Sequence, residues 1–224
     1  MHLKTGCRAV DDLLGGGIEG GCVTVLFGEG GSGKTNVCLQ LARNCVVEGR
    51  KVVYIDTEGV SPERLRQICG DRHEEVSQNL LMSEPFSQAE QEQLVDKAIR
   101  LAEASEEIGL IVLDSATMHY RLALGGPDWD EDRRSLTRQI ARLLHVARRR
   151  DIPVVLTSQV YTDVETGIFH PLGGHPLTHN AKVLVRLERV GPNLRRAVIV
   201  KHRHMPEGTG AKFRLTDKGV EHRF

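Results

Sequence analysis

Residues 23–36 read VTVLFGEGGSGKTN, and this stretch decides the fold. VTVLF at 23–27 is a short apolar, β-branched run, the mark of a buried strand. GEGGSGKT at 28–35 then matches the phosphate loop G-x4-G-K-T, with Gly28, Gly33, Lys34 and Thr35 at its fixed positions. Residues 34–48 read as a helix, because Val37, Leu41 and Cys45 share one face. The motif therefore has the strand before it and the helix after it that it requires. Glycines let the backbone of Gly28, Glu29, Gly30, Gly31, Ser32 and Gly33 wrap a phosphate with N–H groups turned inward. The helix N-terminus adds partial positive charge. Lys34 is placed to reach the β- and γ-phosphates and the Thr35 hydroxyl to ligate Mg2+, so ATP and Mg2+ are the expected cofactors.

Working outward, KVVYI at 51–55, LIVL at 110–113 and PVVLT at 153–157 are further strand-like runs. Helical segments separate them. Ser61-Pro62-Glu63 reads as an N-cap with proline at the first helical position, opening a helix to about Cys69. Ser87 opens a polar helix to about Glu107. Residues 131–150 carry Leu136, Ile140, Leu143, Leu144 and Ala147 at helical spacing. Strands alternating with helices predict a parallel, doubly wound α/β sheet with helices on both faces. The end differs: 182–190 and 195–201 flank Gly191-Pro192-Asn193 and read as an antiparallel hairpin, with a short strand near 211–215. This tail extends the sheet, so residues 1–224 read as one domain.

Ligands in such sheets lie at the carboxyl ends of the strands. Asp114 ends the LIVL strand and is the expected magnesium-holding carboxylate. Glu58, in DTEG after strand 51–55, is placed either to polarise an attacking water or to be a solvated turn residue. Gln159 has a γ-phosphate contact and an ordinary turn amide as its alternatives.

The 224 residues contain 40% hydrophobic and 27% charged residues, which excludes a disordered chain. No stretch approaches the ~18 uncharged apolar residues of a membrane-spanning helix, and the amino terminus has no apolar run of a secretory signal. Cys7, Cys22, Cys38, Cys45 and Cys69 form no CxxC, so reduced thiols in a cytoplasmic protein are expected. The formal net charge is zero, yet residues 1–120 hold 11 Lys+Arg against 19 Asp+Glu and residues 121–224 hold 19 against 11. A basic half suggests a polyanionic partner; mixing of the two halves on the folded surface is the alternative.

With these residues in hand, the chain resembles the RecA-type recombinase superfamily and, within it, the archaeal RadB family. The resemblance rests on TGCRAVDDLLGGGIEGG at 5–21, GEGGSGKTN at 28–36, VVYIDTEG at 52–59, SPERL at 61–65 and LIVLDSA at 110–116. Tyr120-Arg121, TSQV at 157–160, and PLGG at 171–174 followed by His179 continue it over nearly the whole chain. The resemblance implies a RecA-like ATPase core with Glu58 as catalytic glutamate. It implies that Arg64 stacks on the adenine and that Asn36, which closes the run GEGGSGKTN, belongs to the nucleotide-binding residues. It makes Gln159 the link between the γ-phosphate and a second DNA-binding loop at about 160–174; the first loop is at about 119–132. Lys201-His202-Arg203 resembles a pair of lysines of bacterial RecA that reach the γ-phosphate across a subunit interface. This implies Lys201 and Arg203 as cations acting in trans within a homo-oligomer; a solvated basic edge strand is the alternative.

The chain starts almost at the ATPase core, without the amino-terminal helical DNA-binding domain and the Phe-x-x-Ala linker of strand-exchange recombinases. The resemblance thus implies a weak ATPase that binds single-stranded or branched DNA. It would assist the main archaeal recombinase and a junction-cleaving nuclease in recombination and repair rather than exchange strands alone. A KaiC-like signalling ATPase acting through protein partners without DNA is the alternative, because it shares the early LLGGG segment and the phosphate loop.

Arg134, Arg138, Arg142, His145 and Arg149 form one stripe of the 131–150 helix, suited either to phosphate contacts or to a solvated face. Tyr120, Tyr161 and Phe169 flank the expected DNA loops, where they either stack on bases or pack in the core. His170, His175, His179, His202 and His204 lack the thiol partners and spacing of a zinc site.

Overall fold

A computed structural model describes residues 1–122, 129–163 and 169–222. The elements run β1 (His2–Leu3), α1 (Arg8–Leu13), β2 (Ile18–Glu19), β3 (Val23–Phe27), α2 (Lys34–Val47), β4 (Lys51–Asp56), α3 (Pro62–Cys69), α4 (His73–Asn79), β5 (Leu80–Ser83) and α5 (Gln88–Ala104). They continue β6 (Ile108–Asp114), α6 (Met118–Leu122), α7 (Trp129–Arg150), β7 (Val154–Ser158), β8 (Val160–Thr162), β9 (Phe169–Pro171), α8 (Gly174–Asn180), β10 (Val183–Gly191), β11 (Leu194–Lys201), β12 (Gly210–Thr216) and β13 (Gly219–Glu221).

The expected helix starts are built as read. Ser61 Oγ accepts from the Arg64 N–H (3.3 Å) with Pro62 at the first position of α3. Ser87 Oγ accepts from the Glu90 N–H (3.2 Å), and the Glu90 carboxylate accepts in return from the Phe86 N–H (2.8 Å). This reciprocal pairing satisfies donors that a helix start leaves open.

The main sheet has nine strands in the order β13-β12-β11-β10-β3-β7-β6-β4-β5. The six from β10 to β5 are parallel and the remainder antiparallel. The RecA-like α/β fold with a carboxyl-terminal antiparallel extension is thus present. Central strands β3, β4, β6 and β7 are buried on both faces, which is why they read as continuous apolar runs. One core layer lies under α1 to α4 and gathers Leu39, Leu41, Tyr54 and Phe213. The other lies under α5, α7 and α8 around Val25, Ile111, Leu143 and Leu177. Gln40 of α2 fastens the far edge: its amide donates to the Val220 carbonyl (3.1 Å) and accepts from the Val220 N–H (2.7 Å). Among the described residues, no helix is long and apolar enough to cross a membrane. All five cysteines are buried free thiols.

The chain passes from β3 through α2 to β4, skipping the positions of β7 and β6 in the sheet. Such a reversal opens a crevice at the carboxyl ends of the strands. Phe27, Asp56, Asp114 and Ser158 end β3, β4, β6 and β7 there.

Candidate nucleotide and DNA site

The phosphate loop leaves β3 under close confinement. A Cβ on Gly28 would stand 2.2 Å from the Leu187 carbonyl oxygen, so glycine alone fits. Gly33 (φ +103°) caps α2 in the left-handed region. Lys34 is buried, and its Nζ donates to the Gly28 (2.8 Å) and Glu29 (3.1 Å) carbonyls, closing the loop on itself. Burial lowers its pKa, against the opposing charges of Glu58 and Asp114. Ser32 Oγ is buried with no hydrogen-bond partner among the described residues. An ammonium, an orphaned hydroxyl and a helix N-terminus facing one cradle fit a bound phosphate chain.

Asp114 is 2% exposed. Its carboxylate accepts from Tyr54 Oη (2.7 Å), Thr157 Oγ1 (2.5 Å) and the Thr35 hydroxyl. Burial raises its pKa, the three hydroxyls pull the other way, and Glu58 adds to the rise. The structure thus joins Thr35 and Asp114, a hydroxyl and a carboxylate, as magnesium requires of its hard oxygen ligands.

Asp56, buried at the end of β4, builds the turn that carries Glu58. It accepts from the N–H groups of Glu58 (3.1 Å), Gly59 (3.0 Å) and Val60 (2.5 Å). Glu58 Oε1 accepts from Gln159 Nε2 (3.0 Å), and Gln159 Oε1 accepts from Arg121 Nη1 (2.5 Å). Three residues expected from sequence to act on ATP or DNA therefore form one chain. Arg121 fixes the Gln159 amide with its NH2 toward Glu58.

Arg64 lies at the other end of the loop. Its guanidinium donates to Asn36 Oδ1 (2.6 Å) and to the Thr216 (2.7 Å) and Asp217 (3.2 Å) carbonyls. It lines an open cavity of about 470 Å3 with Asn193, Arg214 and Leu215, a place that suits a nucleotide base.

Three aromatic or basic residues expected at DNA behave differently. Tyr120 is 5% exposed and packs on Trp129 (ring centroids 4.5 Å), so it belongs to the core and has no free face for a base. Arg138 bonds Glu92 (3.1 Å) and Glu131 (3.0 Å). Two more arginines of the stripe are spent likewise: Arg142 pairs with Asp96 and Arg149 with Glu103 (3.3 Å), so these three fasten α7 to α5. Burial raises the Glu92 carboxyl, but the Arg138 and Ser135 hydrogen bonds outweigh it and hold the group below its ordinary pKa. Phe169 is half-buried and lines a cavity of about 200 Å3 beside Gly28 and Arg186.

Other expected DNA residues lie at the surface or line a cleft. Tyr161 is 47% exposed and stacks on His170 at 5.6 Å. Arg134 and His179 line an open cleft of about 720 Å3 between α7 and α8, with Arg133 and Asn180. The middles of both expected DNA loops, 123–128 and 164–168, lie outside the described residues.

Lys201 and Arg203 do not reach the phosphate loop of their own chain. The β11 register places Lys201 opposite Leu184, at the amino ends of the parallel strands, away from Gly28. Lys201 Nζ donates to the Thr178 (2.8 Å) and Ala181 (2.9 Å) carbonyls, and Arg203 pairs with Glu19 (2.9 Å).

Sequence reading also missed Asp56, Tyr54 and Thr157, which hold the named carboxylates. Asp56 alone carried a local signal, an aspartate followed by the turn residues Thr57-Glu58-Gly59.

The chain is similar to known proteins over nearly its whole length. A family model described as Rad51 matches residues 1–223. The chain is 46% identical over 220 residues to a DNA repair and recombination protein RadB of Methanococcoides burtonii, covering 98% of this chain and 97% of that protein. It is 44% identical over 227 residues to the protein of the same name from Archaeoglobus fulgidus, covering 99% and 98%. A solved structure described as the RadB recombinase superposes with a TM-score of 0.84 at 35% identity, covering 99% of this chain and 100% of that one.

Proposed function

Because the chain belongs to the Rad51 family, and within it to the RadB proteins of DNA recombination and repair, we propose that it is a slow, Mg2+-dependent ATPase that binds DNA and assists a full recombinase. The observation that carries this reading is the meeting of Lys34, the Thr35–Asp114 pair and the Glu58–Gln159–Arg121 chain at one sheet edge. Thr35 and Asp114 would hold Mg2+, which would supply charge neutralisation at the phosphates. Glu58 takes the role of base toward the attacking water, with its carboxylate oriented by the Gln159 amide. Lys34 supplies one cation from within the chain. Further cations come from a neighbouring chain, in which Lys201 and Arg203 leave their present partners; turnover by the isolated chain is slow for that reason.

DNA runs over Arg121, Tyr161, Arg134 and His179, with Tyr161 as a stacking platform and the arginines on phosphates. Single-stranded or branched DNA suits this surface, because bases must be unstacked to meet Tyr161. The recombinase partner is supported by the outer edge of the sheet. There an apolar groove of about 300 Å3 between β5 and α5, lined by Val53, Ile55, Leu81, Met82, Leu94 and Leu101, lies beside β5, the edge strand that pairs only with β4 among the described residues. Such an edge accepts an added strand with an apolar side chain in the groove. A junction-cleaving nuclease is a further proposed partner.

The test is fluorescence anisotropy of labelled single-stranded DNA, with and without Mg·ATP, over a salt series. Binding that weakens steeply with salt supports phosphate contacts, and a difference with Mg·ATP supports the Arg121–Gln159–Glu58 connection. No binding at low salt to single-stranded, duplex or branched DNA refutes DNA binding by the isolated chain.

A further inference from the structure

Arg195 is 8% exposed, yet among the described residues no carboxylate pairs with it. It sits one residue past the β10–β11 turn, opposite Arg189 on β10 and Phe213 on β12. Its Nε donates to the carbonyl of Gly31, inside the phosphate loop (2.9 Å). Its Nη1 donates to the carbonyls of Gly191 (3.2 Å) and Leu194 (2.9 Å). Burial lowers its pKa, and the neighbouring cation Arg189 lowers it further; a guanidinium nonetheless stays protonated at physiological pH.

A cation withdrawn from water costs free energy unless an anion faces it. Three carbonyl dipoles accept from three of its five N–H groups but bring no countercharge. The structure places this cation against the one loop built to receive anions.

The geometry of the contact matters as much as the charge. In a trans peptide the C=O and the following N–H point in opposite directions. By holding the Gly31 carbonyl outward, Arg195 turns the Ser32 N–H toward the loop interior, where it meets the Glu29 carbonyl (3.2 Å). Ser32 Oγ is buried there with no partner among the described residues. The same guanidinium grips the β10–β11 turn, so loop and antiparallel extension are clamped together.

We infer that Arg195 is a positioning residue of the nucleotide site: it fixes the Gly31–Ser32 peptide for phosphate binding and supplies a buried cation whose countercharge is the polyphosphate of a bound nucleotide. The inference rests on the reading of this loop as a nucleotide site, and the experiment separates the two.

Binding of a fluorescent N-methylanthraniloyl-ADP with Mg2+ is titrated on the full chain, the fold of each variant being checked by circular dichroism. If the parent chain does not bind, or Lys34→Ala binds as well as the parent, the nucleotide reading itself fails. If both behave as a phosphate loop requires, Arg195→Gln is expected to weaken binding about 10- to 100-fold, the range for a lost hydrogen bond to a charged group. Arg189→Gln, which removes a neighbouring exposed charge, is expected to stay within about twofold. Arg195→Lys keeps the charge without the three fixed donors and is expected to fall between parent and Gln, about three- to tenfold weaker than the parent. A folded Arg195→Gln within twofold of the parent overturns the inference. Should that variant not fold, Arg195→Lys decides: an affinity equal to the parent overturns the inference as well. A purely structural Arg195 would lower the melting temperature of the free chain and leave the affinity of the folded chain unchanged.

Discussion

Replacing Tyr54 by Phe removes one oxygen from the interior and nothing else. That oxygen donates to Asp114 at 2.7 Å, and both residues are buried. A hydrogen bond to an ionised acceptor contributes about 1.5–3 kcal/mol, and one to a neutral acceptor about 0.5–1.5 kcal/mol. The protonation state of Asp114 therefore sets the size of the loss. Burial raises the Asp114 pKa above the ordinary value of 3.8. A raised acid pKa means that the folded chain keeps this proton when the unfolded chain has released it. The carboxylate consequently costs stability at pH above the raised value and costs none below 3.8. Tyr54 opposes that rise, so its removal moves the pKa higher and deepens the cost at neutral pH. For a chain of this length 1 kcal/mol corresponds to roughly 2–4 °C in melting temperature. Tyr54→Phe should therefore melt roughly 3–12 °C below the parent at pH 8 and roughly 1–6 °C below it at pH 4. Scanning calorimetry of both chains at both pH values reads the difference. An equal loss at the two pH values, or a loss under about 1 °C at pH 8, would refute the account of Asp114 as a buried, hydroxyl-held carboxylate.

Glu58→Gln should abolish ATP turnover and keep nucleotide affinity within about twofold, as turnover and fluorescent-nucleotide titrations will read; an unchanged rate removes Glu58 from the chemistry. Gly28→Ala drives a Cβ against the Leu187 carbonyl and should cost about 1–3 kcal/mol of stability together with nucleotide binding; normal binding would mean that the close contact is not held in solution. Arg134→Ala should flatten the dependence of log K on log salt for single-stranded DNA by about 0.7, the contribution of one phosphate. Arg138→Ala, whose charge is spent on Glu92 and Glu131, should leave that slope unchanged. Arg121→Ala should lower kcat about two- to tenfold with little change in KM, because the Gln159 amide loses the bond that orients it toward Glu58; an unchanged kcat would make the Arg121–Gln159 contact incidental.

What could be read from the chain was what is local. The strand, loop and helix at 23–47 announce themselves because apolar run, glycines and helical period lie end to end. Asp114 is legible as a carboxylate that ends a buried run, and Glu58 as one in the turn just after another. What escaped depends on contacts far along the chain. Nothing local distinguishes Tyr120 beside a basic segment from a base-stacking residue until Trp129 is seen to cover it. Arg195 looks like one more arginine in LRRA, and its role exists only because Gly31 lies against it across 164 residues. Helix α4 and strand β5 are too short for a period to show; α4 buries Val76 alone.

The charge asymmetry between the halves illustrates how such contacts change a functional reading. Helices α5 and α7 run side by side, one from the acidic half of the sequence and one from the basic half. Arg138 meets Glu92, Arg142 meets Asp96 and Arg149 meets Glu103, each pair 46 residues apart. A constant offset between helices that advance together is what parallel packing demands, and steps of four and seven residues keep each partner on the facing side. Pairs this exposed contribute little stability individually. They do neutralise the stripe that looked suited to a polyanion. Part of the basic half is thus consumed within the fold, while Arg121 at the Gln159 amide and Arg134 in the cleft beside α8 stand outside this ladder. With fewer cations left to meet phosphates, the salt dependence of any DNA affinity is shallower than the composition of the basic half alone would suggest.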